Sequence, residues 1–226
     1  MSLEGTIAAH RLWKRFRADR QATTLRARIE RPLHRTRGWR WALRDVELEI
    51  APGESVALIG ANGSGKSTLL KILTGVMDPY AGTLEVHGRV GALIEVRSGI
   101  HPQLTGRQNI YVYGALMGMK RREVARRFDE IVAFAEVEAA VDRPVKFYSS
   151  GMQMRLGFAV AAFLDPDVML VDEVLSVGDA SFQQRCLDKL REVLANGATL
   201  VFVSHDLAAV EASCRRGVLL HDGCVL

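Results

Sequence analysis

The sequence predicts an α/β domain built on a largely parallel sheet. Short apolar strand candidates alternate with helix candidates along most of the chain, which is typical of parallel strands covered by helices. One strand candidate leads through a glycine-rich segment directly into a helix, the order of elements that a phosphate-binding loop requires. Between residues 100 and 163 the pattern becomes helical, so we expect a helical lobe inserted into the sheet. A chain of 226 residues is long enough to bury the core of one such domain.

The individual elements follow from hydrophobic periodicity. Val46, Leu48 and Ile50 alternate with polar residues, which indicates a half-buried strand. Apolar residues recur at helical spacing on one face of residues 181–195, which indicates an amphipathic helix. The predicted strands are 5–12, 46–50, 55–59, 82–86, 89–94, 168–171, 200–203 and 218–220, and the predicted helices are 65–74, 105–136, 151–164 and 181–195.

Composition and cysteine usage bound the class of protein. No stretch approaches 18 consecutive apolar residues, so we expect no membrane-spanning segment. The N-terminus has no apolar run either, so we expect no secretory signal. The three cysteines, Cys186, Cys214 and Cys224, lack metal-ligand spacing and suit free thiols in a reducing compartment. The sequence therefore predicts a cytoplasmic protein.

Basic residues are concentrated near the N-terminus. The formal net charge is +4, yet twelve of the 30 Lys and Arg residues lie between residues 11 and 44, where only Asp19 and Glu30 are acidic. Such a block is attracted to an anionic lipid surface or to nucleic acid. A solvated surface segment explains the charge equally well. Leu25 and Ile29 lie four residues apart among arginines, and we hypothesise that this short amphipathic pattern lies at a membrane surface; a surface helix packed on its own domain is the alternative.

The segment from Gly60 to Thr68 fits the phosphate-binding P-loop at every fixed position. Its glycines let the backbone curl around an anion, and the following helix adds a partial positive charge at its N-terminus. Lys66 is expected to reach the β- and γ-phosphates of a nucleotide, and the Ser67 hydroxyl to ligate Mg²⁺. The predicted nucleotide-binding residues of this segment are Gly60, Asn62, Gly63, Ser64, Gly65, Lys66, Ser67 and Thr68.

A second set of candidate residues follows two apolar strands. Asp172 and Glu173 come directly after the apolar run 168–171, and with a P-loop upstream this arrangement indicates a Walker B strand. Asp172 would hold Mg²⁺ through water, and Glu173 is the candidate general base for the attacking water. His205 follows the apolar run 200–203 and is a candidate neighbour of the γ-phosphate. These residues predict nucleotide hydrolysis.

The motifs fall in the order found in ATP-binding cassette (ABC) ATPases, which the chain resembles over nearly its whole length. In that family the signature loop of one subunit contacts the γ-phosphate held by the P-loop of another, and Tyr148 to Gln153 resembles that loop. The resemblance implies ATP and Mg²⁺ as cofactors, ATP hydrolysis, and a homodimer with two ATP molecules at its interface. It also implies a mostly parallel core sheet, an antiparallel N-terminal β part and an inserted α-helical lobe. The signature residues so identified are Ser149, Ser150, Gly151 and Met152.

Further roles come from the resemblance alone. Asp179 corresponds to the acid of the D-loop, and His205 corresponds to the switch histidine. Phe16 lies where the family places the aromatic residue that stacks on adenine, with Trp13 as the alternative. Glu95 takes the place of the usual Gln of the Q-loop, from which a carboxylate would approach Mg²⁺.

Departures from the common family pattern narrow the resemblance. Ser150 and Met152 replace Gly and Gln in the signature, and Glu95 replaces the Q-loop Gln. With the runs 41–45 and 100–109, these features resemble ATPase subunits that export O-antigen, capsule, teichoic acid or related glycans. We therefore expect the ATP-hydrolysing subunit of an ABC transporter that exports a lipid-linked polysaccharide across the cytoplasmic membrane. An exporter of lipids or drugs is the alternative, and a non-transport ABC ATPase acting on nucleic acid is a more distant one.

The resemblance also implies partners and a location. With no span of its own, the chain would need a separate transmembrane permease subunit, whose cytoplasmic helix we expect at residues 99–120. The protein would then be peripheral on the inner face of the cell membrane, and no nucleic-acid partner is expected. Within a single domain 1–226, we expect a RecA-like core at about 1–98 and 165–226, the lobe at about 99–164 and the basic insert at about 17–40.

Overall fold

The computed structural model describes residues 4–17, 38–93, 100–116, 118–163, 165–172, 179–203, 210–211 and 213–226. These residues form two β-sheets, five α-helices and two short 3₁₀ turns. Most of the predicted basic insert, including Leu25 and Ile29, lies outside the described residues. Within the described ranges, no helix is long and apolar enough to cross a membrane.

Six strands form the larger sheet: β3 (Ser55–Ile59), β5 (Val90–Leu93), β6 (Val168–Asp172), β7 (Thr199–Val203), β8 (Arg216–His221) and β9 (Cys224–Val225). Their order is β5-β6-β7-β3-β8-β9, and every neighbouring pair is parallel except β8 with β9. Strands β3, β6 and β7 are buried along nearly their whole length, which explains why they read as continuous apolar runs. The predicted mostly parallel core sheet is confirmed.

Three further strands form a smaller antiparallel sheet: β1 (Ile7–Arg17), β2 (Trp39–Ile50) and β4 (Ala81–Val86), in the order β2-β1-β4. The predicted end of the first strand at residue 12 was wrong, since β1 continues to Arg17 and β2 begins at Trp39. Register shifts follow Ala9, Leu12 and Lys14, and Arg11 has a φ of 49°. Such bulges interrupt the period-two pattern by which a strand is recognised.

The helices are α1 (Lys66–Leu73), α2 (Gly106–Leu116), α3 (Arg121–Ala135), α4 (Ser150–Ala162) and α5 (Ala180–Ala195). The pattern over 105–136 was predicted to be helical without a stated break, and the structure divides this range into two helices. Gly118 lies between them with a φ of 87°, a conformation that ends a helix and favours glycine. The backbone N–H of Lys120 then donates to the Glu123 carboxylate at the start of α3, which restarts the helix. Helices α2, α3 and α4 form the predicted helical lobe.

Candidate nucleotide-binding site

The candidate site lies at the carboxyl edge of the larger sheet. Strand β3 ends at Ile59 and leads into the P-loop, and β6 ends at Asp172. Strand β7 lies between them and pairs with both in parallel. Since neighbouring strands are about 4.8 Å apart, Asp172 lies two strand spacings, or about 10 Å, across the edge from the strand that carries the P-loop. Ligand sites of open α/β sheets occur at this edge.

Close backbone packing shapes the P-loop. A Cβ atom on Gly60 would overlap the carbonyl oxygen of Leu220 in β8, and one on Gly65 would lie 2.6 Å from the carbonyl oxygen of Ala42 in β2. Both glycines also have φ in the positive range, 154° and 113°. The P-loop is therefore held between β8 and β2, and only glycine allows these approaches.

The P-loop residues fit a polyphosphate. The Lys66 ammonium is buried, with its residue only 7% exposed, and donates to the carbonyl oxygens of Gly60 at 2.7 Å and Ala61 at 3.0 Å. These bonds hold a positive charge inside the curve of the loop. Ser67 and Thr68 lie in the first turn of α1, whose first N–H groups have no acceptor within the helix. The hydroxyl oxygen of Ser64 is buried and has no hydrogen-bond partner among the described residues. Buried cation and helix N-terminus together form an anion site.

Among the predicted catalytic and metal residues, the structure describes Asp172 at the end of β6 and Ser67 in α1. Glu173, His205 and Glu95 lie outside the described residues. Their assigned roles in base catalysis, γ-phosphate contact and Mg²⁺ binding stay predictions.

The two candidates for adenine stacking lie on opposite faces of the small sheet. Phe16 pairs across the strands with Arg40, so the two side chains share one face. A guanidinium nitrogen of Arg40 lies 3.6 Å from the position of a Cβ built on Gly63, which places this face towards the P-loop. Trp13 instead packs edge-on against Trp41, with 5.2 Å between ring centroids, on the other face. The geometry favours Phe16 of the two.

The signature residues lie at the N-terminus of α4. Ser149 is the N-cap residue, and its hydroxyl oxygen accepts the N–H of Met152 at 3.1 Å. Met152 packs partly against the lobe core. A Cβ on Gly151 would meet only the Ser149 hydroxyl oxygen, at 3.8 Å, which is ordinary contact. Among the described residues, nothing therefore requires glycine at residue 151.

Tyr148 anchors the signature loop in the lobe. Its side chain is buried, and its hydroxyl donates to the carbonyl oxygen of Ala140 at 2.6 Å. The ring packs so closely on α2 that a Cβ on Gly106 would overlap the tyrosine hydroxyl. Burial raises the pKa of the Tyr148 hydroxyl. The tyrosine of the signature and the glycine of the run 100–109 thus form one contact.

Asp179 connects α5 to the signature helix. One carboxylate oxygen accepts the N–H of Phe182 at 2.9 Å as an N-cap, and the other pairs with Arg155 of α4 at 2.6 Å. The backbone N–H of Phe182 and the Arg155 charge hold the pKa of Asp179 below its ordinary value. Arg155 also pairs with Glu136, which caps α3 in a left-handed conformation, φ 56°. Phe182 and Arg155 both belong to the same chain as Asp179, and contact of Asp179 with ATP stays a prediction.

Arg155 and Glu136 were not predicted as site residues from the sequence. Arg155 lies four residues after Gly151, so it shares a helix face with the signature, which was an available signal. No sequence signal identifies Glu136, because its contacts depend on how three helices meet.

ABC-type ATPase cassettes have a parallel sheet with a P-loop and an acidic strand end at one edge, together with a helical lobe that carries a signature loop. This chain has these features and falls in that class. The chain belongs to the ABC transporter family, whose family model matches residues 43–176. The fold agrees with solved cassettes. An ATP-binding cassette dimer in a post-hydrolysis state bound to ADP and Pi aligns with a TM-score of 0.78 at 22% identity, covering 97% of this chain and 96% of that one. An ATP-binding subunit of an ABC transporter aligns with a TM-score of 0.79 at 24% identity, covering 97% and 87%.

Curated relatives come from export systems. The O-antigen export system ATP-binding protein RfbB of Klebsiella pneumoniae is 45% identical over 80% of this chain and 74% of its own length. RfbB of Myxococcus xanthus is 47% identical over 81% of this chain and 42% of its own. The teichoic acids export ATP-binding protein TagH of Lactiplantibacillus plantarum is 44% identical over 82% and 51%. The chain thus spans between two fifths and three quarters of these relatives.

Proposed function

We propose that this chain is the ATP-hydrolysing subunit of an exporter for a lipid-linked polysaccharide such as O-antigen or teichoic acid. The observation that carries the proposal is the fit of the P-loop to a polyphosphate at the sheet edge where Asp172 also ends β6. The substrate class is supported by the names of relatives that are 44–47% identical over about four fifths of this chain.

In this proposal the adenine of ATP stacks on Phe16, and the phosphate chain follows the P-loop from Gly60 to Thr68. Lys66 turns its ammonium from the loop carbonyls to the β- and γ-phosphates, because negatively charged phosphate oxygens attract a cation more strongly than neutral carbonyl oxygens do. Mg²⁺, when bound, would neutralise charge on the phosphate oxygens, and Ser67, Asp172 and Glu95 are the residues that would hold it.

Hydrolysis is assigned to residues that follow the strand ends. Glu173 accepts a proton from the water that attacks the γ-phosphorus, the bond from that phosphorus to the β–γ bridging oxygen breaks, and ADP leaves, while His205 contacts the γ-phosphate. A carboxylate positioned next to the metal-binding Asp172 suits the base, since it follows that residue directly in the chain.

We infer that two copies of the chain complete each site. Ser149, Ser150, Gly151 and Met152 of one copy form the start of a helix, where the first N–H groups have no acceptor within the helix and attract an anion. The absence of any tight contact around a Cβ on Gly151 within the described chain supports an approach by the partner-bound phosphate. Asp179 would act at the same interface through its bond to Arg155.

The permease subunit is proposed to dock on the lobe. Helix α2 leaves Val112 and Leu116 exposed, 41% and 70%, and Phe147 next to the signature loop is 62% exposed. Val112 and Leu116 lie four residues apart on one helix, and neighbouring exposed apolar side chains mark protein interaction sites. Through that subunit the chain would be held at the inner face of the cell membrane.

The test uses Glu173→Gln, which keeps the shape of the side chain and removes its basicity. Purified Glu173→Gln protein should bind ATP, form a stable ATP-dependent dimer in size-exclusion chromatography, and hydrolyse ATP at least about 100-fold more slowly than the unaltered chain. Normal hydrolysis by this variant would refute the assignment of the base. For the substrate, cells that lack the chain should lose surface glycan, and the unaltered gene but not the Glu173→Gln gene should restore it. Unchanged surface glycan in cells that lack the chain and in cells that carry only the variant would refute export of that polymer.

A further inference from the structure

The tip of the β1–β2 pair has two chemically different faces. On one face, the Arg15 guanidinium lies between the rings of Trp39 and Tyr80, with its central carbon 4.2 and 3.9 Å from their centroids, and donates to the Tyr80 hydroxyl at 2.7 Å. Arg17 lies over the same Trp39 ring at 5.7 Å. Aromatic faces attract these two guanidinium groups, so their positions are accounted for within the small sheet.

The other face carries Phe16 and Arg40, which are directly paired across the strands. Leu43 lies on the same face, and its side chain contacts the P-loop, 2.9 Å from a Cβ built on Gly65. Arg40 is exposed, and its guanidinium reaches towards Gly63 of the same loop. In the part of the chain that the structure describes, no ion pair or aromatic ring holds Arg40. The strand register thus places the Arg40 guanidinium beside the P-loop.

We propose that Arg40 is a further nucleotide-binding residue, which contacts the phosphate chain between the adenine on Phe16 and the P-loop at Gly63. The inference rests on the proposed function, since it takes ATP as the ligand. The triphosphate carries several negative charges, whereas Lys66 supplies one buried cation to the inner side of the loop. A guanidinium presents paired donors that match phosphate oxygens and approaches here from the adenine side.

This position predicts an effect on affinity and not on the chemical step. Arg40 lies at the sheet tip beside Phe16, whereas Asp172 ends β6 two strands from β3. The charge of Arg40 therefore affects how tightly the whole nucleotide binds. Binding of ADP and binding of ATP should both depend on Arg40, whereas binding of adenosine, which has no phosphate, should not.

The experiment measures equilibrium binding of ADP to the unaltered chain and to Arg40→Gln, Arg40→Lys and Arg17→Gln. We expect Arg40→Gln to bind ADP roughly 5- to 10-fold more weakly, the range of one partly exposed charge-assisted hydrogen bond to phosphate. Arg40→Lys should recover part of the loss because it keeps the charge, and Arg17→Gln, on the opposite face of the same tip, should bind like the unaltered chain. Raising the KCl concentration should reduce the difference in ADP affinity between the unaltered chain and Arg40→Gln, since salt screens the charge of Arg40.

Competition with adenosine separates a phosphate contact from a disturbed adenine pocket. If Arg40→Gln loses as much affinity for adenosine as for ADP, the substitution has displaced Phe16, and the inference is overturned. If Arg17→Gln weakens ADP binding as much as Arg40→Gln does, the effect comes from the general positive charge of the region, and the inference is overturned as well. ADP binding by Arg40→Gln within twofold of the unaltered chain also overturns it. If the unaltered chain binds neither ADP nor ATP, the proposed function fails instead.

Discussion

Thr199 joins three segments that are far apart in the sequence. Its buried hydroxyl donates to the carbonyl oxygen of Gly5 at 2.6 Å and accepts the N–H of Gly53 at 2.9 Å. These bonds connect β7 to the residues just before β1 and to the turn before β3. One side chain therefore links the large sheet to the start of the small one.

Replacing Thr199 with Val, which has nearly the same shape, should lower the free energy of unfolding by about 1–3 kcal/mol. The change leaves the Gly53 N–H and the Gly5 carbonyl oxygen buried without the hydroxyl. Urea denaturation followed by circular dichroism measures it. Thr199→Ser keeps the hydroxyl and should retain most of the stability, whereas unaltered stability in Thr199→Val would contradict the role assigned to the hydroxyl.

At the scale of elements, sequence patterns predicted best where burial is simplest. The buried strand 55–59 and the P-loop were predicted at their observed positions, because a continuous apolar run followed by glycines has few alternatives. The extension of β1 to Arg17 was missed, since bulges and the left-handed Arg11 break the alternation. The break at Gly118 was missed because apolar residues continue at helical spacing across it.

The residues of the candidate site were likewise predicted only where a local sequence pattern identifies them. Residues within one loop, such as Lys66 and Ser67, were predicted from local motifs whose geometry a single turn determines. Arg40 was not, because its proximity to Gly63 depends on the register between β1 and β2. Contacts that depend on strand register or helix packing leave no local pattern.

Two glycines of the lobe provide a matched test of the signature helix. Gly106→Ala should destabilise the lobe by about 1–3 kcal/mol, because its Cβ overlaps the Tyr148 hydroxyl. Gly151→Ala should leave the thermal midpoint and ADP binding unchanged, since its Cβ meets only ordinary contact within the chain. It should nonetheless reduce ATP-dependent dimerisation and hydrolysis at least about tenfold, because the added methyl group holds the partner-bound phosphate away.

Chromatography with ATP and a coupled ATPase assay give the two readouts for Gly151→Ala, and thermal unfolding gives the readout for Gly106→Ala. Full hydrolysis by Gly151→Ala would remove the argument that this helix start contacts a nucleotide. A lowered thermal midpoint in Gly151→Ala would mean that the glycine serves the fold instead.

At the scale of the whole molecule, the large sheet joins two hydrophobic cores. Alternate residues of the same strands face opposite sides, so that Val171 packs with the lobe and Leu170 packs with the small sheet. The lobe meets α5 through Phe182, whose ring lies edge-on to Phe134 and Phe158 at 5.6 and 6.0 Å. The P-loop, which is packed against β2 and β8, therefore touches the core that carries the small sheet.

Nucleotide binding should accordingly stabilise the molecule as a whole. ADP at 100 times its dissociation constant should raise the free energy of unfolding by about 2.7 kcal/mol if it binds only the folded chain. For a chain of this size, that raises the thermal midpoint by about 5–10 °C.

Lys66→Met keeps the length of the side chain but not its charge. Binding weakened about 100-fold would reduce the stabilisation at the same ADP concentration to about 0.4 kcal/mol. Lys71→Ala, in the same helix, should keep the full ADP-induced shift. Differential scanning calorimetry with and without ADP measures each shift against the variant's own baseline, and an undiminished shift in Lys66→Met would place the phosphate elsewhere than in the P-loop.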